Sequence, residues 1–346
     1  STIERLRPMH DIRDRLRGML LLGAYGDALG AVHEGSPKVA DEPFPKVLPL
    51  RTMPNQGFHW GTWLPNTVVA SKAGVPTDDT SFRLFILHPW LQQIALGHSS
   101  FSEESFQEFI TELAQTPPEP QWTGQPRNKQ IDEWISMFSA ESKGQCASFF
   151  CPDTPVVFGL FMYLETGALF RSSASRSTYM FFKKFSRLDQ RYASSATAFL
   201  ATLLGMAIEY DSSGHRFDDW FFSQSFALVG DLKEESTTSS DLDTLYALIS
   251  TMRDLGSAYR GLPEERFISA FKERVVDPPN PPFMDEPFSS FLGGNFDPFR
   301  FLALIVATVQ FSGGDPVLAL RAIAYSFGDT DTTASFLGTL MGAWYG

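Results

Sequence analysis

"SFGDTDTTASFLGTLMGAWYG" closes the chain at residues 326–346, and two of its features decide what kind of fold it builds. Asp329 to Thr333 put oxygen on five consecutive short side chains, immediately before an apolar helical stretch. A helix needs one such residue as its N-cap, where the side-chain oxygen accepts from an early amide. The helix dipole favours a further acid nearby. Those preferences account for one Asp and one Thr, but not for Asp329 and Asp331 together. The second feature is Gly338, Gly342 and Gly346, which recur every four residues and so share one helix face. A glycine inside a helix costs about 1 kcal/mol against alanine. An aligned set fits a face that another backbone approaches closely.

Both features recur upstream. Gly23, Gly26 and Gly30 lie at i, i+3 and i+7 in a helical pattern over residues 12–30, with Ile12, Leu16, Met19 and Leu20 on it. In "PTDDTSFRL" (76–84), Thr77, Asp78, Asp79, Thr80 and Ser81 again precede an apolar helical stretch, "FRLFILHPWLQQIAL". Carboxylates so close repel unless a cation or a proton lies between them. Successive residues of a regular helix point about 100° apart. Thr77, Asp78 and Asp79 therefore converge only from a first turn or a loop, and Asp329, Asp331 and Thr332 can fan around a point in the same way. Carboxylates and hydroxyls are hard ligands that suit Mg²⁺, Mn²⁺ or Ca²⁺ rather than Zn²⁺. Four carboxylates from two clusters suffice for two divalent ions, with positions left open for water and substrate. An EF-hand is excluded, because "DTDTTASFLGTL" lacks Gly at its sixth position and Glu at its twelfth.

Composition bounds the function classes. The net charge is −12, and no Lys/Arg cluster offers a footprint for a phosphate backbone, which argues against nucleic-acid binding. Two cysteines, Cys146 and Cys151, are too few for a disulfide framework or a zinc site and fit a reducing compartment. "RLRGMLLLGAYGDALGA" (15–31) imitates a signal peptide, but Asp27 interrupts a short apolar core. "FLALIVATV" (301–309) is too short to span a bilayer. A cytoplasmic protein with no membrane partner is expected. The 32 phenylalanines predict an aromatic core.

Helical periodicity dominates elsewhere: residues 105–115, 196–210, 240–259 and 300–311 repeat apolar positions at helix spacing. Strand signals are short, the best being "NTVVAS" (66–71) and "PVVF" (155–158). "TPPEPQWTGQP" (116–126) and "DPPNPPFMDEP" (277–287) read as extended loops, and "KEESTTSSD" (233–241) as a solvated polar turn. The expectation is an all-α fold. Aromatics in "GFHWGTW" (57–63) are candidates for stacking on a base.

Three stretches in one order, "GMLLLGAYGDALGAVHEG" (18–35), "PTDDT" (76–80) and "GDTDTTASFLGTLMGAWYG" (328–346), resemble the ADP-ribosylglycohydrolase family, whose members include the dinitrogen-reductase-activating glycohydrolase. The resemblance implies a compact orthogonal helical bundle with a two-metal cleft. It implies one domain over 1–346, with 1–12 as an N-terminal extension. It makes Thr77, Asp78, Asp79, Asp329, Asp331 and Thr332 the metal ligands, with Asp331 touching both ions. It makes Glu34 the acidic residue that approaches the metals and the substrate ribose, our candidate acid/base. The implied cofactors are two Mg²⁺, with Mn²⁺ an alternative. Many members also carry an Asn-Gly and Met-Arg loop in the middle and a later Thr-His pair. Residues 149–163 and 191–207 show neither, so no residue is assigned to the ADP moiety.

The implied activity is metal-dependent removal of ADP-ribose from a modified protein side chain by cleavage of the C1″ glycosidic bond. Its partners are then the ADP-ribosylated protein and ADP-ribose. Two alternatives stay open. One is an immunity or binding protein that blocks an ADP-ribosyltransferase toxin by direct contact, with or without hydrolysis. The other is a metal-dependent phosphohydrolase. No HExxH or G-x-S-x-G is present, which argues against zinc and serine hydrolases.

Overall fold

The computed structural model describes residues 12–31, 79, 80, 83, 87, 91, 154–170, 175–185, 189, 191–212, 214–235, 240–290 and 294–346. Every regular element among them is helical: α1 (Ile12–Ala31), α2 (Phe158–Tyr163), a 3-10 turn (Glu165–Leu169), α3 (Ser175–Phe185), α4 (Ala193–Glu209), α5 (Phe217–Glu235), α6 (Ser240–Tyr259), α7 (Glu264–Phe271), a π-helical turn (Lys272–Val276), α8 (Pro298–Ser312), α9 (Pro316–Ala324) and α10 (Thr330–Tyr345). Residues 79, 80, 83, 87 and 91 are helical as well. The all-α expectation is met. Residues 155–158, read as a short strand, instead lead into α2, and the Val157 amide donates to the Phe296 carbonyl across a loop. The polar stretch 233–241 still contains the end of α5 and the start of α6. The segments 57–63, 66–71, 105–115 and 116–126 and both cysteines lie outside the described residues. No described helix is long and apolar enough to cross a membrane.

α4, α8 and α10 form the interior. Almost every residue of α4 is buried, including its Ser and Thr positions, as expected of a helix that is apolar all round. Thr202 satisfies its hydroxyl on the Ala198 carbonyl one turn back. Phenylalanines fill the spaces between helices: Phe267 of α7 stacks on Phe311 of α8, 4.3 Å between centroids. Phe336 of α10 meets Phe161 of α2 and Phe301 of α8. Burying one such side chain contributes about 1.5–3 kcal/mol. Arg15 of α1 is buried and donates to the Ala207 carbonyl at 2.6 Å and to Ser212 Oγ at 3.0 Å. Its charge thus sits at the carbonyl end of α4, where the helix dipole favours a cation.

The contact that positions the site is α1 on α10. The two helices run antiparallel and touch every four residues. A Cβ on Gly342 would come within 2.1 Å of the Gly18 carbonyl, one on Gly338 within 2.3 Å of Leu22, one on Gly26 within 2.2 Å of Ala334, and one on Gly30 within 2.2 Å of Thr330. No side chain fits between the backbones. Ser335 and Thr330 use the proximity to donate to the Gly23 and Gly30 carbonyls at 2.9 and 2.8 Å. Two members of the glycine sets behave differently. Gly23 makes room for the Thr339 hydroxyl, and Gly346 lies just past the helix end at φ +87°, where its backbone still packs against Gly18 of α1. The glycine register brings the end of α1 beside the start of α10.

Candidate metal centre

α10 begins at the second oxygen cluster. Asp329 occupies its N-cap position, and Asp331 and Thr332 lie in the first turn. From the first cluster, Asp79 and Thr80 are helical, and Asp79 faces α10. Ligand oxygens of Asp79, Asp329 and Asp331 all lie within 4.8 Å of one another, and all three residues are buried. Thr332 joins the clusters across the fold, its hydroxyl donating to Asp79 Oδ2 at 2.8 Å. The Thr332 amide donates to Asp331 Oδ1 at 2.9 Å, which turns that carboxylate back toward the helix start.

The Asp329 carboxylate makes no capping hydrogen bond. Its carbonyl anchors the helix start instead, accepting from the Thr333 hydroxyl at 2.7 Å. Three buried carboxylates within 4.8 Å of one another repel when ionised, and a cation among them removes that penalty. The donors are three carboxylates and a nearby hydroxyl, all hard oxygen. That set fits Mg²⁺, Mn²⁺ or Ca²⁺ and does not suit Zn²⁺.

Arg300 of α8 borders this cluster. Its guanidinium lies over the Phe327 ring, 5.3 Å from the centroid, and donates to Asn295 Oδ1 at 3.0 Å. Burial pulls its pKa below the ordinary arginine value, while the Asp297 and Asp329 carboxylates raise it.

A buried polar network lies beneath the carboxylates. Asp27 of α1 accepts from the Thr80 amide at 3.1 Å and from its hydroxyl at 2.6 Å. Arg83 sends Nε to the Asp79 carbonyl at 3.2 Å and a terminal nitrogen to Thr80 Oγ1 at 3.0 Å. Its other terminal nitrogen reaches Glu165 Oε1 at 2.9 Å and Thr339 Oγ1 at 3.1 Å. Thr339 donates in turn to Glu165 Oε1 at 3.2 Å.

Of the residues singled out by sequence, the structure brings Asp79, Asp329, Asp331 and Thr332 to one point. Thr77, Asp78 and Glu34 lie outside the described residues. Arg83, Glu165 and Thr339 were missed. Arg83 had a readable signal, since it follows Asp79 by four residues and so shares its helix face. Glu165 had none, standing in a stretch without a motif.

A family model described as ADP-ribosylglycohydrolase matches residues 8–346. Among solved structures, the chain is similar to one titled "ADP-ribosylglycohydrolase-related protein complex", with a TM-score of 0.56 and 19% identity over 97% of this chain and 88% of that one. That likeness concerns the fold. No curated protein matches the chain. Because the family match runs from residue 8 to the last residue and takes in both oxygen clusters, the chain belongs to the ADP-ribosylglycohydrolase family.

Proposed function

We propose that this chain hydrolyses the bond between C1″ of ADP-ribose and a modified protein side chain, releasing free ADP-ribose and the unmodified side chain. Family membership supports an ADP-ribose-removing hydrolase. One observation supports a place for that activity: Asp79, Asp329 and Asp331 converge within 4.8 Å, and the Asp329 side chain makes no capping hydrogen bond.

In this proposal Asp79, Asp329, Asp331 and Thr332, with Thr77 and Asp78, are the residues that hold two Mg²⁺, Mn²⁺ being able to replace them. Bound there, such ions supply Lewis acidity and a water of lowered pKa. The protein's own groups do the rest. The Thr332 hydroxyl, donating to Asp79, and the Thr332 amide, donating to Asp331, fix the direction of two carboxylates. Glu34 is the proposed acid/base. It takes a proton from the attacking water as that water's oxygen bonds to C1″, and a proton is returned to the departing side-chain atom. Charge at C1″ peaks in an oxocarbenium-like transition state. The whole of 1–346, with 1–12 as an extension, is proposed to act as one catalytic domain.

The test is incubation with arginine-linked and serine-linked ADP-ribosylated proteins, with Mg²⁺ and with chelator. The expected result is release of ADP-ribose with Mg²⁺, loss of release with chelator, and recovery on adding Mn²⁺. No release from either linkage by a folded sample, beside an active control enzyme, rejects the proposal.

A further inference from the structure

We infer that Arg83 is a positioning residue for the candidate metal centre, holding the helix of Asp79 at a fixed distance and rotation from α10. The inference rests on the metal reading above and goes beyond it, because Arg83 is not among the residues proposed to hold the ions.

The geometry is a ladder of two rungs. Asp79 and Arg83 are four residues apart on one helix face, and Thr332 and Thr339 are seven apart, two turns, on one face of α10. The upper rung is Thr332 to Asp79, 2.8 Å. The lower rung is Arg83 to Thr339, 3.1 Å. The lower rung is locked by Glu165 from the 3-10 turn, which pairs with Arg83 at 2.9 Å while both side chains are about 4% exposed. Arg83 also grips the segment that carries Asp79, through the Asp79 carbonyl and Thr80 Oγ1. One planar group thus ties the backbone of a candidate ligand to two other elements, and a guanidinium presents such donors in a fixed fork. Gly23 makes this possible. A Cβ there would lie 2.3 Å from Thr339 Oγ1 and 3.4 Å from Arg83, so a side chain at that position would push the rung apart. Glu165 contributes only Oε1 to this arrangement, and its Oε2 has no hydrogen-bond partner among the described residues. A pair kept solely for stability has no need of that arrangement, since an apolar pair of equal volume is often as stable.

Two variants separate positioning from stability. Arg83→Lys keeps a charge opposite Glu165 but loses the fork. Arg83→Met combined with Glu165→Met removes both buried charges, leaving none unpaired. Each full-length protein is titrated with Mn²⁺ by electron paramagnetic resonance, well below its own melting temperature. Melting is followed with and without Mn²⁺. The expected result is a folded variant that binds Mn²⁺ about tenfold or more weakly and gains less melting temperature from it. A merely structural Arg83 lowers metal-free melting and leaves the affinity of the folded protein unchanged. Affinity within about twofold of the parent in either folded variant overturns the inference. Should neither fold, Thr339→Val removes one hydroxyl of the lower rung and leaves the ion pair. A loss of about threefold is expected there, and parent-like affinity overturns the inference equally. A parent that takes up no Mn²⁺ sinks the metal reading and this inference with it, whereas parent binding with unchanged variants sinks this inference alone.

Discussion

α8, α9 and α10 each begin with an aspartate at the N-cap, and the first two use it differently from the third. Asp297 accepts from the amides of Phe299 and Arg300 at 2.8 and 3.1 Å, and from the Tyr192 hydroxyl and the Ser289 amide. Asp315 accepts from Val317 and Leu318 at 2.8 and 3.0 Å. Both are followed by proline at the first helical position, which suits a helix start. The Asp329 side chain makes no capping hydrogen bond, and its carboxylate lies with those of Asp79 and Asp331. A good cap is worth about 1 kcal/mol. At α10 that gain is forgone and three carboxylates gather at the helix start, where the proposed metal site would give them a cation to share. α10 tolerates this because its length is buried and α1 lies against it, backbone to backbone.

The contrast predicts effects of opposite sign. Asp331→Asn has the largest. It is expected to lower both Mn²⁺ affinity and ADP-ribose release by about a hundredfold or more, the upper end of what even outer partners of a metal cost. Its metal-free melting temperature should equal or exceed the parent's, because one of three repelling charges is gone. Parent-like affinity in that variant, or a drop in metal-free melting, breaks the distinction between α10 and its neighbours.

Asp315→Ala comes next and should do the reverse. It is expected to cost about 1 kcal/mol of stability by urea unfolding and to leave Mn²⁺ affinity unchanged. A loss of Mn²⁺ binding there would mean that all three caps belong to one coupled unit.

The smallest effect is at high pH, where the far end of α10 meets the α9 cap. The Tyr345 hydroxyl donates to the Gly314 carbonyl at 2.5 Å. Its phenol is pushed up to about 12, first by burial and then by the Asp218 and Asp315 carboxylates, with Arg216 pulling the other way. A folded value above the ordinary one near 10 stabilises the fold fully below about pH 10, and that contribution is lost as pH rises toward about 12. The stability of the parent should therefore fall more steeply between those limits than that of Tyr345→Phe. Equal slopes would remove Tyr345 from the account.

Much of this was legible residue by residue. α6 runs over Ser240–Tyr259, as its pattern predicts, because Leu242, Leu245, Ile249, Met252 and Leu255 repeat at helical spacing toward one buried side. α4 and α8 are found within three residues of their sequence limits. α3, α5, α7 and α9 were not singled out. α9 is a nine-residue helix whose start is marked by Asp315 and Pro316 rather than by periodicity. "PVVF" was misassigned because two β-branched residues in a four-residue run carry no period to tell strand from helix entry.

The two oxygen clusters and the glycine faces were determined by the sequence alone, because each depends on residue types at short fixed spacing, which local geometry converts directly into a helix start or a bare helix face. Tertiary structure decided the rest. Only the packed fold could show that Asp329 turns from its cap toward Asp79, or that Arg83 reaches Glu165 and Thr339. Those contacts join groups far apart in the chain, and their distances are set by how helices meet, which no local spacing encodes.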